Sequence, residues 1–161
     1  MALIQKATSR PSQPVLRLGT LASHGPGEWD SGSGDLRVFV IYSSAELTRS
    51  ALGAVAALTQ NLSARVALVA VQIVPFPLPL DRPAVPSSFL EQELKAVARG
   101  IELPVEVHVV MARDPEVGIE RVISPGSLVV FATKRRWWPT PQKKLARWLA
   151  RAGHSVALLE V

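Results

Sequence analysis

The chain has 161 residues, a formal net charge of +5, 48% hydrophobic and 19% charged residues, and no cysteine. That length suits one domain with a tail, and that share of apolar residues suits a substantial core. Without cysteine, disulfides, thiolate metal sites and iron–sulfur ligation are excluded.

Residues 1–35 differ in composition from the rest. They hold Pro11, Pro14 and Pro26, five glycines from Gly19 to Gly34, and little apolar periodicity. Such an extension has too few apolar groups to order itself. Leu16, Leu18, Leu21 and Trp29 are its candidate anchors. The Met1–Pro11 opening lacks the apolar stretch of a signal peptide. The uncharged run Val66 to Leu80 is too short for a membrane span and carries three prolines. A cytoplasmic protein is expected.

From residue 36 strands and helices alternate. Residues 36–42 form an apolar run of strand length. Ser43-x-x-Glu46 reads as a capping box opening a helix that places Leu47, Ala51, Val55, Leu58 and Leu62 on one face. Residues 65–74 are the second strand. The proline-rich stretch 75–86 can hold no regular element. Ser88-x-x-Glu91 reads as a second capping box, for a helix bearing Leu90, Leu94 and Val97 and ending at Gly100. A third strand spans 105–111. Asp114-Pro115, a cap followed by proline, starts a short helix through Ile123. Residues 127–132 are the fourth strand. Thr140-Pro141 repeats the cap-plus-proline signal before a helix with Leu145, Trp148, Leu149 and Ala152, closed by Gly153. Trp148 shares a face with Leu145 and Leu149 and is expected in the core. A fifth strand spans 156–159. Five strands separated by four helices require right-handed crossovers and a parallel sheet covered on both faces.

Charge is distributed unevenly over this frame. Between Arg121 and Leu159 there is no acidic residue, yet the span holds eight of the 18 Lys/Arg and three of the four Trp. The rest of the chain carries ten basic against 13 acidic groups and is slightly negative. A concentrated cationic field selects anionic partners, and interleaved Trp adds stacking or burial.

The element order resembles the universal stress protein domain over about residues 36–161. The resemblance rests on the strand-Ser-Ser-x-Glu opening, the long loop after the second strand, Asp114-Pro115 after the third, and the apolar last strand. It implies a flavodoxin-like α/β fold with strand order 3-2-1-4-5, and commonly a dimer through the last strand. The ATP-binding branch of that family carries a glycine-rich phosphate motif after the fourth strand. Residues 133–143 contain no glycine, and Gln142-Lys143 stands where Gly-Ser is found. Tyr42 replaces the acidic residue usual at the end of the first strand. The ATP site is therefore not carried over, and no cofactor is expected.

Catalytic signals are weak. His24, His108 and His154 share no metal-ligand spacing, and the acids do not gather. Two sets of site residues remain. Lys134, Arg135, Arg136, Trp137, Trp138 and Trp29 are candidates for docking a protein partner, since Arg and Trp are enriched at interface hot spots. Tyr42, Ser43 and Thr133 are candidates for a remodelled ligand site at the switch point, where open parallel sheets bind ligands. Nucleic acid is disfavoured, because only Trp137 and Trp138 are free to stack on bases. The expected role is a non-catalytic accessory subunit, its partner either soluble or membrane-associated on the cytoplasmic side.

Overall fold

A computed structural model describes residues 36–136 and 138–161. It is a five-stranded, all-parallel sheet in the order β3-β2-β1-β4-β5, with helices on both faces. The elements follow in the order β1 (Leu36–Ile41), α1 (Ala45–Thr59), β2 (Ala64–Ile73), α2 (Ser87–Ala98), β3 (Val105–Ala112), α3 (Pro115–Glu120), β4 (Leu128–Thr133), α4 (Pro141–Arg151) and β5 (Ser155–Glu160). Each strand agrees with its sequence expectation to within one residue at either end. Residues 1–35, with Leu16, Leu18, Leu21 and Trp29, lie outside the described residues, as does Trp137. No helix among the described residues is long and apolar enough to cross a membrane.

β1 is the central strand. Its Val38–Ile41 stretch is buried, pairing with β2 on one side (Val38↔Val66 to Ile41↔Val69) and β4 on the other (Val38↔Leu128 to Ile41↔Phe131). Alternation sends Val38 and Val40 to a layer with Leu52, Leu68, Leu94 and Leu159, beneath α1 and α2. It sends Phe39 and Ile41 to a second layer with Val69, Ile119, Phe131 and Leu149, beneath α3 and α4. Winding runs β1-β2-β3 to one side and then β4-β5 to the other. With right-handed crossovers, that change of direction puts the two helix pairs on opposite faces. The edge strand β3 is only half-buried and turns Glu106 and His108 outward.

The helix boundaries show where local chemistry overrode the sequence reading. Ser44, not Ser43, caps α1: its side chain accepts from Leu47 N. The Ser43-x-x-Glu46 capping box is therefore not formed, because Ser43 is still part of the chain leaving β1. Leu47, Ala51 and Val55 are buried as expected, but Leu58 is 56% and Leu62 58% exposed. α1 ends at Thr59, before Leu62, and both leucines line an apolar groove between α1 and the sheet that is open to solvent. α2 begins at Ser87, directly after Pro86, whose extended backbone stops the preceding loop; there is no side-chain cap. Ser88 therefore sits inside the first turn and does not cap it. Asp114 and Thr140 do cap α3 and α4, accepting from Glu116 N and Lys143 N. α3 ends at Glu120, three residues short of Ile123, where a turn takes over. Trp148 is partly buried against the second layer rather than within it.

Gly118 sets how closely α3 approaches the sheet. A Cβ there would come within 2.6 Å of Val71 Cγ1 and 3.0 Å of Ala112 Cβ. Gly53 on α1 has nothing within 4 Å of the same position. The two glycines should therefore respond oppositely to alanine. Gly53→Ala is expected to stabilise the protein by about 0.5–1 kcal/mol through helix propensity. Gly118→Ala should destabilise by up to about 2.5 kcal/mol net, since overpacking costs ~1–3 kcal/mol against the same propensity gain. Urea denaturation of both variants checks the difference in sign.

Candidate functional site

β1 and β4 are neighbours in the sheet but are followed by helices on opposite faces, so their carboxyl ends leave the sheet side by side and diverge. That is the switch point. Tyr42, Ser43 and Ser44 emerge from β1, and Thr133 to Arg136 from β4. All three candidate ligand residues come together here, but their hydroxyls are already engaged by the protein. Ser43 Oγ donates to Ala132 O at 3.3 Å, tying the β1 exit to β4. Thr133 is 2% exposed, and its Oγ1 lies 3.2 Å from Thr140 Oγ1 and 3.4 Å from Lys134 O. Tyr42 leans towards α2, where its hydroxyl donates to Glu93 Oε1 at 2.5 Å. Burial, followed by the hydrogen bond and negative charge of Glu93, pushes the Tyr42 phenol up to about 12. Glu93 was missed in the sequence because it belongs to the exposed side of α2, 51 residues away.

The loop between β4 and α4 carries the cations. Arg135 N donates to Val161 O at 3.2 Å, and Val161 N to Thr133 O at 3.0 Å, so the chain's last residue braces the loop's first turn. Lys143 is turned inward. Its Nζ lies 2.8 Å from Glu160 Oε1 and donates to Arg136 O at 3.3 Å. One ammonium thus bonds to the end of β5 and to the loop backbone. Gln142-Lys143 is where the resembled ATP-binding pattern has Gly-Ser, and here Lys143 works as a brace. Nearby backbone N–H groups are not opened towards a ligand by glycine, since none occurs from residue 133 to 143.

Lys134, Arg135 and Arg136 are exposed, and Trp138 is 76% exposed. Lys134 Nζ stands 3.9 Å from Glu46 Oε2 in the first turn of α1, a solvent-screened contact of small energetic weight. The cationic surface is larger than the sequence reading gave. On α4, Lys144, Arg147 and Arg151 fall at i, i+3 and i+7 and are all exposed, while Ala146, Leu149 and Ala150 face the sheet. Among the described residues no ion pair involves Arg135, Arg136, Lys144, Arg147 or Arg151. The signal for this stripe is the helical spacing of Lys144, Arg147 and Arg151, opposite the face that carries Ala146, Leu149 and Ala150.

The remaining titratable groups stay dispersed. His108 Nε2 is 3.5 Å from Glu106 Oε2 on the outer strand, and His154 follows α4 at the turn into β5. No group of three or more His, Asp or Glu among the described residues is placed to hold a metal ion. No protein-family model matches the chain, and no curated protein matches it either.

Tyr42 is the only tyrosine in the chain, so phenolate absorbance reports it alone. The native protein should titrate with a midpoint near 12, and the protein in denaturant near the ordinary value of about 10. A phenol whose folded value is raised stabilises the fold fully below the unfolded value and loses that contribution as pH climbs from about 10 to about 12. Glu93→Gln should move the native midpoint down, and Tyr42→Phe should remove this component of the alkaline loss of stability. Both are read by titration at 295 nm and by denaturation at successive pH values.

Proposed function

We propose that this protein is a non-catalytic accessory subunit of universal stress protein type. It would dock onto an acidic protein surface through Lys134, Arg135, Arg136 and Trp138 and the adjoining stripe Lys144, Arg147 and Arg151. Trp137 and Trp29, both outside the described residues, belong to the same proposal as further aromatic anchors. The observation that carries it is an indole 76% exposed beside cations that have almost no acidic neighbours. Trp and Arg are the residue types that dominate binding energy at protein interfaces. The loop is also held from behind by Lys143, Thr133–Thr140 and the last residue of the chain. A braced loop loses little conformational freedom on binding, which favours affinity.

The family resemblance supports a domain whose relatives use this end of the sheet for phosphates. What argues against a retained nucleotide site is the chemistry of the loop. Lysine and arginine side chains can neutralise a phosphate, but they do not reproduce the close cradle of N–H groups that glycine permits. The hydroxyls of Tyr42, Ser43 and Thr133 are already spoken for by Glu93, Ala132 and Thr140.

Two measurements test the reading. Co-purification with the full chain should recover a protein partner that resists nuclease treatment and is lost as salt rises through a few hundred millimolar, as screening over a Debye length of ~8 Å or less requires. Replacing Lys134, Arg135 and Arg136 together by glutamate should reduce that recovery at least about tenfold, the equivalent of ~1.4 kcal/mol. Unchanged recovery removes the docking role from these residues. Separately, millimolar ATP, ADP or AMP should leave the melting temperature unchanged. A clear rise, of the size expected when a ligand is present at many times its Kd, would favour a remodelled nucleotide site instead.

A further inference from the structure

The face of the sheet beneath α3 and α4 is unevenly covered. α4 lies over β4 and β5. α3 has only six residues, about 9 Å of helix, and Gly118 seats it on Val71 and Ala112, towards the carboxyl ends of β2 and β3. The chain then returns to β4 by a turn through Val122 and Ser124. The amino ends of β1, β2 and β3 are left with an open cavity of about 240 Å³ on this face. It is smaller than the about 300–1,000 Å³ of sites for drug-sized molecules, so its occupant must be small.

Strand register decides what lines it. Arg37 is opposite Arg65, Phe39 opposite Ala67, and Ala67 opposite Glu106, so these side chains share one face of the sheet. Phe39 and Ala67 are buried and form an apolar floor, with Val122 beside it. Arg37 and Glu106 are exposed and line the cavity from either side of that floor. They start from strands two apart, about 10 Å across the sheet, with Glu106 one pleat further along.

The two sides offer different chemistry. Arg37 Nη1 donates to Ser124 Oγ at 3.2 Å. The guanidinium has further N–H groups, and a serine hydroxyl that accepts can still donate its own proton. Together they can hold a carboxylate, the arginine through charge-assisted bonds. Arg65 lines the same cavity and adds to the positive field at that side. Glu106 opposes a second negative charge, and its repulsion of a phosphate dianion is twice that of a carboxylate. His108 Nε2 lies 3.5 Å from Glu106 Oε2 and offsets the acid only when protonated. Glu106 is instead a partner for an ammonium group. A few convergent polar groups around an apolar floor is the general form of a small-molecule site.

We propose that this cavity binds a small zwitterion with an apolar body. Its carboxylate is held by Arg37 and Ser124, its body rests on Phe39 and Ala67, and its ammonium faces Glu106. This goes beyond the partner-docking role and does not depend on it, since the docking loop follows the carboxyl end of β4 and this cavity opens at the amino ends of the strands.

Three probes test it against the full chain. Benzoate, terephthalate and 4-(aminomethyl)benzoate share a ring and one carboxylate and differ at the far end, where they carry nothing, a second acid or an amine. Each is titrated into isotope-labelled protein and followed by amide chemical shifts. Saturable shifts are expected at residues 37–39, 65–67, 106–108 and 124. 4-(Aminomethyl)benzoate should bind several-fold more tightly than benzoate, and terephthalate several-fold more weakly. Arg37→Gln should weaken binding at least about tenfold. Arg49→Gln, which removes an exposed cation from α1 on the other face, should leave it unchanged. Glu106→Gln should bring the three probes close to one affinity. Absence of saturable shifts at millimolar probe, shifts confined to other residues, or equal affinity for the three probes in the parent would each overturn the proposal. So would inorganic phosphate binding as tightly as 4-(aminomethyl)benzoate, or equal weakening by Arg37→Gln and Arg49→Gln. The probe series on the parent chain decides the matter even where a variant fails to fold.

Discussion

Everything in this fold hangs on the double burial of β1. Val38 to Ile41 have no exposed face, so each residue must satisfy its backbone within the sheet and its side chain within one of two apolar layers. A strand in that position must have neighbours on both sides, which β2 and β4 supply. Because β2 is reached by a crossover on one face and β5 by a crossover on the other, the helices are distributed on both faces. The divergence of the β1 and β4 exits follows from the same constraint. So does the position of the cationic loop, which is the first segment free of the sheet after β4.

The switch point of such a sheet is an available place for a ligand, and its use depends on what lines it. Here the polar groups that converge on it bond to one another. Ser43 ties β1 to the β4 backbone, Tyr42 ties it to α2, Thr133 meets the cap of α4, and Lys143 joins the loop to β5. Such a network spends hydrogen-bonding capacity on rigidity rather than on a substrate. Cations that remain outside it point to solvent together with Trp138, and α4 extends that surface by three further basic residues at helical spacing. A site can lose the features needed for one kind of recognition while keeping a rigid platform on which another can form.

Two surfaces of the domain differ in kind. The loop after β4 is cationic, braced and aromatic; the groove between α1 and the sheet, lined from Leu36 and Leu128 to Leu159, is apolar and uncharged. Steering by long-range charge belongs to the first. At the second, contact depends on the hydrophobic effect, which is non-directional and short in range.

Strand positions, the parallel sheet and the caps Asp114 and Thr140 were legible from residues 36 onward, because continuous apolar runs and cap-plus-proline pairs are local signals. The segregation of charge into residues 121–159 was legible for the same reason. What sequence could not decide was anything that depends on two distant segments meeting. Ser43 reads as the cap of α1 until its hydroxyl is seen to bond Ala132 of β4, and Ser44 takes the cap. Leu58 and Leu62 carry the right period for a buried face, yet the helix ends at Thr59 and both line an open groove, so they are exposed. Lys143 reads as one more surface cation until β5 brings Glu160 to it, and Glu93 reads as a solvated acid until α2 delivers it to Tyr42. Local sequence thus determined which elements exist and where the charge is concentrated, since those depend on neighbouring residues alone. The tertiary structure decided which polar groups are already satisfied and which remain open to a partner, since burial and hydrogen bonding are properties of the whole packed chain.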